Sequence, residues 1–540
     1  PVLILFAILI VIPQERLRGS AIKKHREVFT TPTMKSSIFW GITFVVIISG
    51  LTPMLESKWE FSLSKGIGFS IIALSMVLLT GYAGEINLAP LAFAGIGALS
   101  AYQFDVGSTV ETGAGFATLA TFLALLFAFL VLSGFGFKRK KLWVLSVSMA
   151  LVTLLLVTIF DGTTGTGIAS RESMSISGVL VATLISGIAG ALVALPALRL
   201  RGLYLGLATF AFAIFVDKMV YKQRQTLSLD IPFVGDGEDI TFNIFNNGAL
   251  NMPRPEFFGI NFKSNQSAML ILLAICFTVI ALLLIRLKRS TYGRQLSAMK
   301  DSPAASATLG LNMLRLKLSV FTLAAAIAGF GGALHASNLR AIQEDAPFTV
   351  FEGLGLFMLT VVGGIGYVSG ALIGGILYGT AFIVMGDFWA KLSTDWNSFD
   401  WLFTFIHDFF LFLGPAVAGI GLGRNPNGIA AQIFDGFRVL GQRESRRTLT
   451  IMATIITSVW ILRVSNVIDG WTFLLLSLPI LLISTLIADK RSNLDQTETR
   501  NWELLGIDAE ISMEDEVFLD QLLDLGSTKT QQISEVDTNE

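Results

Sequence analysis

Side chains able to do chemistry are scarce in this 540-residue chain, and they gather in three places. LLTGYAGEINLAP sets Gly81, Gly84, Glu85 and Asn87 at the end of an apolar run. FTFIHDFFLFLG carries His407 beside Asp408. STYGRQLSAMKDSPAASATLG, residues 290–310, places Arg294, Lys300 and Asp301 next to a small-residue series, Ala304, Ala305 and Ala307, with Arg289 just ahead. None of these builds a hydrolytic or redox centre. Only 3 His occur, with no metal-ligand spacing among them, and the single Cys276 in an apolar run excludes an intrachain disulfide. No G-x-x-x-x-G-K-[ST] occurs, so the chain builds no phosphate cradle of its own. What the three places can do is bind and grip.

The elements that position them are set by composition. Apolar residues are 53% and charged residues 15%, against about 25% charged in a soluble domain. Apolar residues are grouped in blocks of roughly the 17–25 residues that a helix needs to cross a bilayer. Backbone polar groups cannot be left bare in lipid, so these blocks are helices. The expected fold is an all-α polytopic membrane protein of about 14 spans, near 37–55, 61–80, 84–104, 115–134, 142–160, 177–196, 203–220, 268–287, 315–334, 351–364, 366–385, 402–421, 449–464 and 472–487. Glycine-rich 351–385 reads equally as one broken hairpin that does not cross fully. The net charge of −1 gives no reason to expect nucleic acid as a partner.

Basic loops fix orientation. QERLRGSAIKKHRE (14–27), KRKK (138–141), RLKRSTYGR (286–294) and the loop at 423–447 are separated by even numbers of spans, which puts all of them in the cytoplasm. The loops between them, such as 105–115 and 387–401, are acidic or nearly uncharged. Residues 221–267 form a long external loop rich in Asn, Gly and Pro, and an acidic tail follows Arg500. An apolar run, a Pro-containing turn and a helix restart at 3–21 are echoed at 412–431, as if residue 1 began in the closing helix of an upstream repeat.

Residues 290–310 then read as two short cytoplasmic helices. Ser302 caps the second, Pro303 opens it and Gly310 closes it. Its small-residue face admits close approach of another surface. Two readings stay open on spacing alone: a loop made basic to fix topology, or a lever pushed by a soluble partner. Gly81, Gly84 and Asn87, with Gly363, Gly364 and Gly366, likewise read either as close helix packing or as backbone lining a passage.

STYGRQLSAMKDSPAASATLGLNMLRLKLSVFTLAAAIAGFGGAL closely resembles the coupling region of membrane permease subunits of branched-chain amino-acid ABC importers. Gly293, Arg294, Leu296, Ala298, Lys300, Asp301, Ala305, Leu309, Gly310, Asn312 and Lys317 fall on that family's pattern, as do Ala328, Gly329, Gly332, Ala333 and Leu334. The stretches 78–102, 195–213 and 361–377 resemble its other glycine-rich motifs, so the likeness covers roughly 61–430. Glu85 and Asn87 stand where the family more often has Gln and Ser, and Ala89 replaces a common Gly. That departure is compatible with altered cargo such as urea or a short amide.

The resemblance implies a permease core at 61–430; the N-terminal spans at 1–60, the extra helix pair at 431–490 and the acidic tail at 491–540 depart from a single permease and suggest the latter part of a fused two-half permease. It implies a bacterial-type plasma membrane, a second permease half or subunit, a periplasmic or extracellular substrate-binding protein, and ATP-binding cassette subunits carrying ATP and Mg. No cofactor is expected on this chain itself. Gly293, Arg294, Ala298, Asp301, Ala304, Ala305, Ala307 and Gly310 would couple to the ATPase; Gly81, Gly84, Asn87, Gly363, Gly364 and Gly366 would line the substrate path. An ion-coupled secondary transporter is the rival from another class, opposed by the scarcity of ionisable residues in the spans. A membrane enzyme would need a side-chain cluster that the sequence lacks.

Overall fold

The computed structural model describes residues 33–105, 114–161, 174–197, 203–218, 249–343, 348–381 and 446–467, apart from gaps of one or two residues, with scattered positions at 388–406 and 473–480. The chain forms two compact units, 1–432 and 433–540. The runs read as spans at 402–421 and 472–487, the basic segments at 14–27 and 423–445, His407, Asp408 and the acidic tail lie wholly or largely outside the described residues.

The first unit is built from helices α1 (Met34–Leu51), α2 (Ser57–Met76), α3 (Pro90–Asp105), α4 (Ala114–Gly134), α5 (Arg139–Asp161), α6 (Ile176–Ala197) and α7 (Leu203–Val216). Then come α8 (Gln266–Arg289), α9 (Thr291–Asp301), α10 (Pro303–Thr308), α11 (Met313–Leu339), α12 (Val350–Gly364) and α13 (Val368–Ile376). The described helix of the second unit is α14 (Arg446–Val464). Among the described residues, five helical stretches are long and apolar enough to cross a bilayer: α1, α2 with its extension to Tyr82, α6, α8 and α11. The protein is a multi-pass helical membrane protein.

Two expectations change, and one choice left open is narrowed. The stretch expected to be helical from 84 is non-helical over 83–89, and α3 begins only at Pro90. Gly84 at φ +72° turns the chain out of the preceding helix, and proline is suited to a first helical turn. Of the two readings of the glycine-rich region, a hairpin is what 350–381 forms: α12 ends at Gly364 with φ +109°, and α13 starts three residues beyond Ile365 and continues as a π-turn over Leu377–Ala381. The long loop before α8 carries short strands β1 (Ala249–Asn251), β2 (Glu256–Phe257) and β3 (Ile260–Asn261). β1 pairs antiparallel with β4 (Ala341–Gln343), Leu250 opposite Ile342, and β2 pairs with β3.

The core is organised around α11, which packs on α2, α3 and α6. Lipid gives helices little hydrophobic reason to associate, so contact depends on how closely backbones approach. Gly97 of α3 lies on the backbone of Gly329, and Gly332 lies on that of Ala94, with only 2.5 Å from an added Cβ to the Cα in each case. On α2, Ser62, Ser70 and Ser75 donate back to the carbonyls of Lys58, Gly66 and Ile72 at 3.0, 2.9 and 2.6 Å, and the Ser70 hydroxyl also reaches the Leu372 carbonyl of α13 at 3.2 Å.

The end of the bundle opposite α9 is closed by polar contacts. Gln266 Nε2 donates to Ser64 Oγ at 2.9 Å and Asn338 Oδ1 at 3.1 Å, while Arg254 donates to the Phe262 carbonyl at 3.2 Å and to Gln266. Asp105 accepts from the backbone N–H and hydroxyl of Ser175 at 3.1 and 2.6 Å, tying α3 to the start of α6.

Gly332→Leu is expected to destabilise the protein by about 3 kcal/mol or more, since the Ala94 backbone cannot yield as a side chain would. Loss of the monodisperse fraction after mild heating in detergent, compared with wild type, measures it.

Candidate functional site

Residues 290–310 fold as two capped helices. Ser290 accepts from the Gly293 N–H at 3.3 Å and caps α9; Ser302 accepts from Ala305 N–H at 3.3 Å and caps α10, with Pro303 in its first position. α10 ends in a paired closure, Gly310 N–H to Ala307 O at 3.0 Å and Leu311 N–H to Ser306 O at 3.1 Å. That closure requires the φ of +85° found at Gly310. Asn312 then caps α11, accepting from Arg315 N–H at 3.1 Å.

α9 is amphipathic. Tyr292, Leu296 and Met299, spaced four and three apart, are buried, while Arg294 and Asp301 are exposed. Tyr292 stacks on Phe135 at 4.2 Å and shares a 2.7 Å hydrogen bond with Ser319. Burial raises the Tyr292 phenol above its ordinary value, with the Ser319 bond acting against the shift, so it stays protonated at neutral pH. On α10, Ala304, Ala305 and Ala307 are exposed, followed by Leu309 at 82% exposure. The outward face is therefore small and apolar with Arg294 and Asp301 nearby on α9. Gly293 lies away from it, buried against the carbonyls of Leu287 and Lys288 where it permits the tight α8–α9 turn. Ala298 is half-buried.

The residues read as a substrate path meet the inner side of this knob. Gly81 lies at the end of a π-turn, Val77–Tyr82, that extends α2. It packs on the Ile365 carbonyl, 3.4 Å from the Gly366 Cα as measured from an added Cβ. Lys300 Nζ of α9 donates to the Gly81 carbonyl at 3.4 Å, and its side chain lies over Gly84. Lys288 sits 4.7 Å above the Tyr82 ring. Gly363 packs on the Gly370 carbonyl inside the hairpin, and Gly364 makes its turn. The glycines thus serve close packing here, and Gly81, Gly84 and Gly366 do so at the junction with α9.

The non-helical stretch 83–89 is held on every side. Glu85 N–H donates to Leu79 O at 3.1 Å, Leu88 N–H donates to Thr209 Oγ1 of α7 at 3.0 Å, and buried Asn87 accepts from Ala89 N–H at 3.0 Å. Glu85 pairs with Lys317 of α11 at 2.5 Å, both side chains about a tenth exposed. Sequence reading set Glu85 at a departure from the family pattern and Lys317 on that pattern, without pairing them; no spacing rule links residues so far apart in the chain. The arrangement connects an exposed knob, through Lys300 and Lys317, to the one stretch of backbone between α2 and α3 that is free of helical hydrogen bonding.

The family described as branched-chain amino acid transport system permease component matches residues 59–406. The high-affinity branched-chain amino acid transport system permease proteins LivM of Salmonella typhimurium and of Escherichia coli are each 30% identical over 205 residues. That stretch is 34% of this chain and 44% of each relative, so the match spans less than half the length of those proteins. No solved structure matches the chain.

Lys317→Met leaves the Glu85 carboxylate without its partner in a largely buried position and is expected to cost about 3 kcal/mol. Adding Glu85→Gln is expected to restore most of that loss. Denaturant titration of both single variants and the double variant checks it; additive losses would show that the pair does not couple the two segments.

Proposed function

This chain belongs to the family of permease components of branched-chain amino acid transport systems, and on that premise we propose that it is the membrane-spanning part of an ATP-driven importer of branched-chain amino acids. In this reading partner subunits bind ATP and Mg, a soluble binding protein delivers the amino acid from outside, and a second permease half completes the passage. The α9–α10 knob faces the cytoplasm and seats in the ATPase subunit.

One observation carries the reading: the knob is rigid, exposed and wired inward. Its caps fix both helices, and its outer residues Ala304, Ala305 and Ala307 touch nothing that would occupy them, standing exposed to solvent. Its inner residue Lys300 holds the Gly81 carbonyl beside the tip of the α12–α13 hairpin. A push on α10 therefore has a short mechanical route to the 83–89 stretch. Arg294 and Asp301 supply polar contacts to the partner, and the alanines admit close approach.

Ala305→Trp and Arg294→Glu are expected to reduce co-purification of the ATPase subunit and ATP-driven leucine uptake at least tenfold, with the thermal stability of the chain itself unchanged because both positions are exposed. Uptake that survives ATPase inactivation but collapses with the proton gradient would instead identify an ion-coupled carrier. Preferential uptake of urea or a short amide would keep the machine and change the cargo.

A further inference from the structure

We propose that Lys65, Glu352, His335 and Tyr378, walled by Phe69 and Phe348, form a binding station for a zwitterionic α-amino acid with an apolar side chain, inside the bundle near the end opposite α9. The proposal deepens the importer reading and rests on it for the choice of ligand.

The starting observation is His335. It lies in the last turns of α11, is fully buried, and neither ring nitrogen has a hydrogen-bond partner. Buried polar groups are nearly always satisfied, so an imidazole with both nitrogens unmet in a tight bundle needs an explanation. Histidine packed only as a core filler would turn at least one nitrogen to a helix carbonyl or hydroxyl. Here the ring lies instead among aromatics, 4.2 Å from the Phe69 ring and 6.3 Å from that of Phe348. Gly68 permits this placement, since a side chain there would run into Nδ1.

Glu352, in the first turn of α12, repeats the pattern: its Oε2 is buried and unpartnered. Lys65 on α2 lies close enough for its charge to act on both Glu352 and His335, yet it closes an ion pair with neither; its ammonium stands 6.0 Å from the Phe69 ring centroid. Tyr378 completes the group from the π-turn after α13, its ring 4.9 Å from Phe69, admitted by Gly355 on the facing helix. π-turns inside membrane helices are enriched at functional sites, and ionisable residues within spans are costly unless used.

An anion and a cation held apart, with unmet donors and acceptors between aromatic walls, fit a ligand that carries both charges. The ammonium of the ligand meets Glu352 Oε2; its carboxylate meets Lys65 and an N–H of His335; its aliphatic side chain lies against Phe69 and Phe348. A metal ion does not fit, because among the described residues no group of three His, Cys, Asp or Glu side chains is placed to hold one. In this conformation the station is shut, as His335 shows, and about 25 Å of α2 separates Lys65 from the α9 junction. It is placed to take ligand from the outer side while the 83–89 stretch stays closed.

Photo-leucine, a zwitterion with a diazirine in its side chain, tests the station directly on the purified full chain in lipid nanodiscs. Labelling at millimolar probe is expected on peptides containing Phe69, His335 or Phe348. Excess leucine is expected to suppress it at least tenfold, and 4-methylpentanoate, which lacks the ammonium, is not. Glu352→Gln and Lys65→Met are each expected to lower labelling at least tenfold while the variants still capture the ATPase subunit at the distant knob, which shows them folded. Absent labelling, labelling elsewhere, indifference to both substitutions, or suppression by urea in place of leucine overturns the station. Failure of the importer reading shows separately, as wild-type protein that takes up no amino acid when ATPase and binding protein are supplied.

Discussion

Backbone-to-backbone contact along α11 is the constraint from which the rest of this bundle follows. Apolar side chains gain little by leaving lipid for one another, so helices adhere where glycine and alanine let their main chains touch. α11 meets α3 through Gly329 and Gly332, α2 through Gly331, and α6 through Gly329. The contacts with α3 have no slack, because the opposing atoms there are backbone, and those with α2 and α6 set branched or short side chains beside main chain. α11 is therefore a rod fixed at its middle, and whatever its two ends carry is placed with equal firmness. One end carries Lys317, which holds the non-helical stretch; the other carries His335.

α2 runs beside α11 along the same path and also joins both ends, from Lys65 near the aromatic cluster to Tyr82 under Lys288. The ionisable groups described for the bundle lie at two levels separated by a tightly packed middle whose buried polar side chains are serines and threonines such as Ser70, Ser75, Ser186 and Thr322, and each level is bordered by one of the two ends of the α12–α13 hairpin. Tyr378 stands at one level and Ile365 at the other. A single hairpin touching both gives the two levels a shared moving part.

Much of this was legible in the sequence where the physics is local. Apolar run length located the helices, and the caps Ser302, Pro303 and Gly310 behave as their residue types dictate, since capping depends only on neighbours a few positions away. The exposure of the three alanines of α10 followed from the same reading. The start of α3 did not: the run from 84 is apolar enough for a helix, and only the positive φ at Gly84 together with Pro90 breaks it. Least legible were pairings across the fold. The ion pair of Glu85 with Lys317, and the grouping without an ion pair of Lys65, Glu352 and His335, bring together residues hundreds of positions apart. His335 stands alone in its apolar run, so nothing near it in the sequence marks it as a member of such a group.

The π-turn at Val77–Tyr82 holds one residue more per turn than the helix above it. Rewinding it to ordinary α geometry would advance everything below by about 1.5 Å and swing it by about 100°. Gly81 and Gly84, with the lysine resting on them, would leave the hairpin tip by rotation rather than by sliding. The wide turn thus leaves the stem of α2 one residue from a different rotation of its lower end.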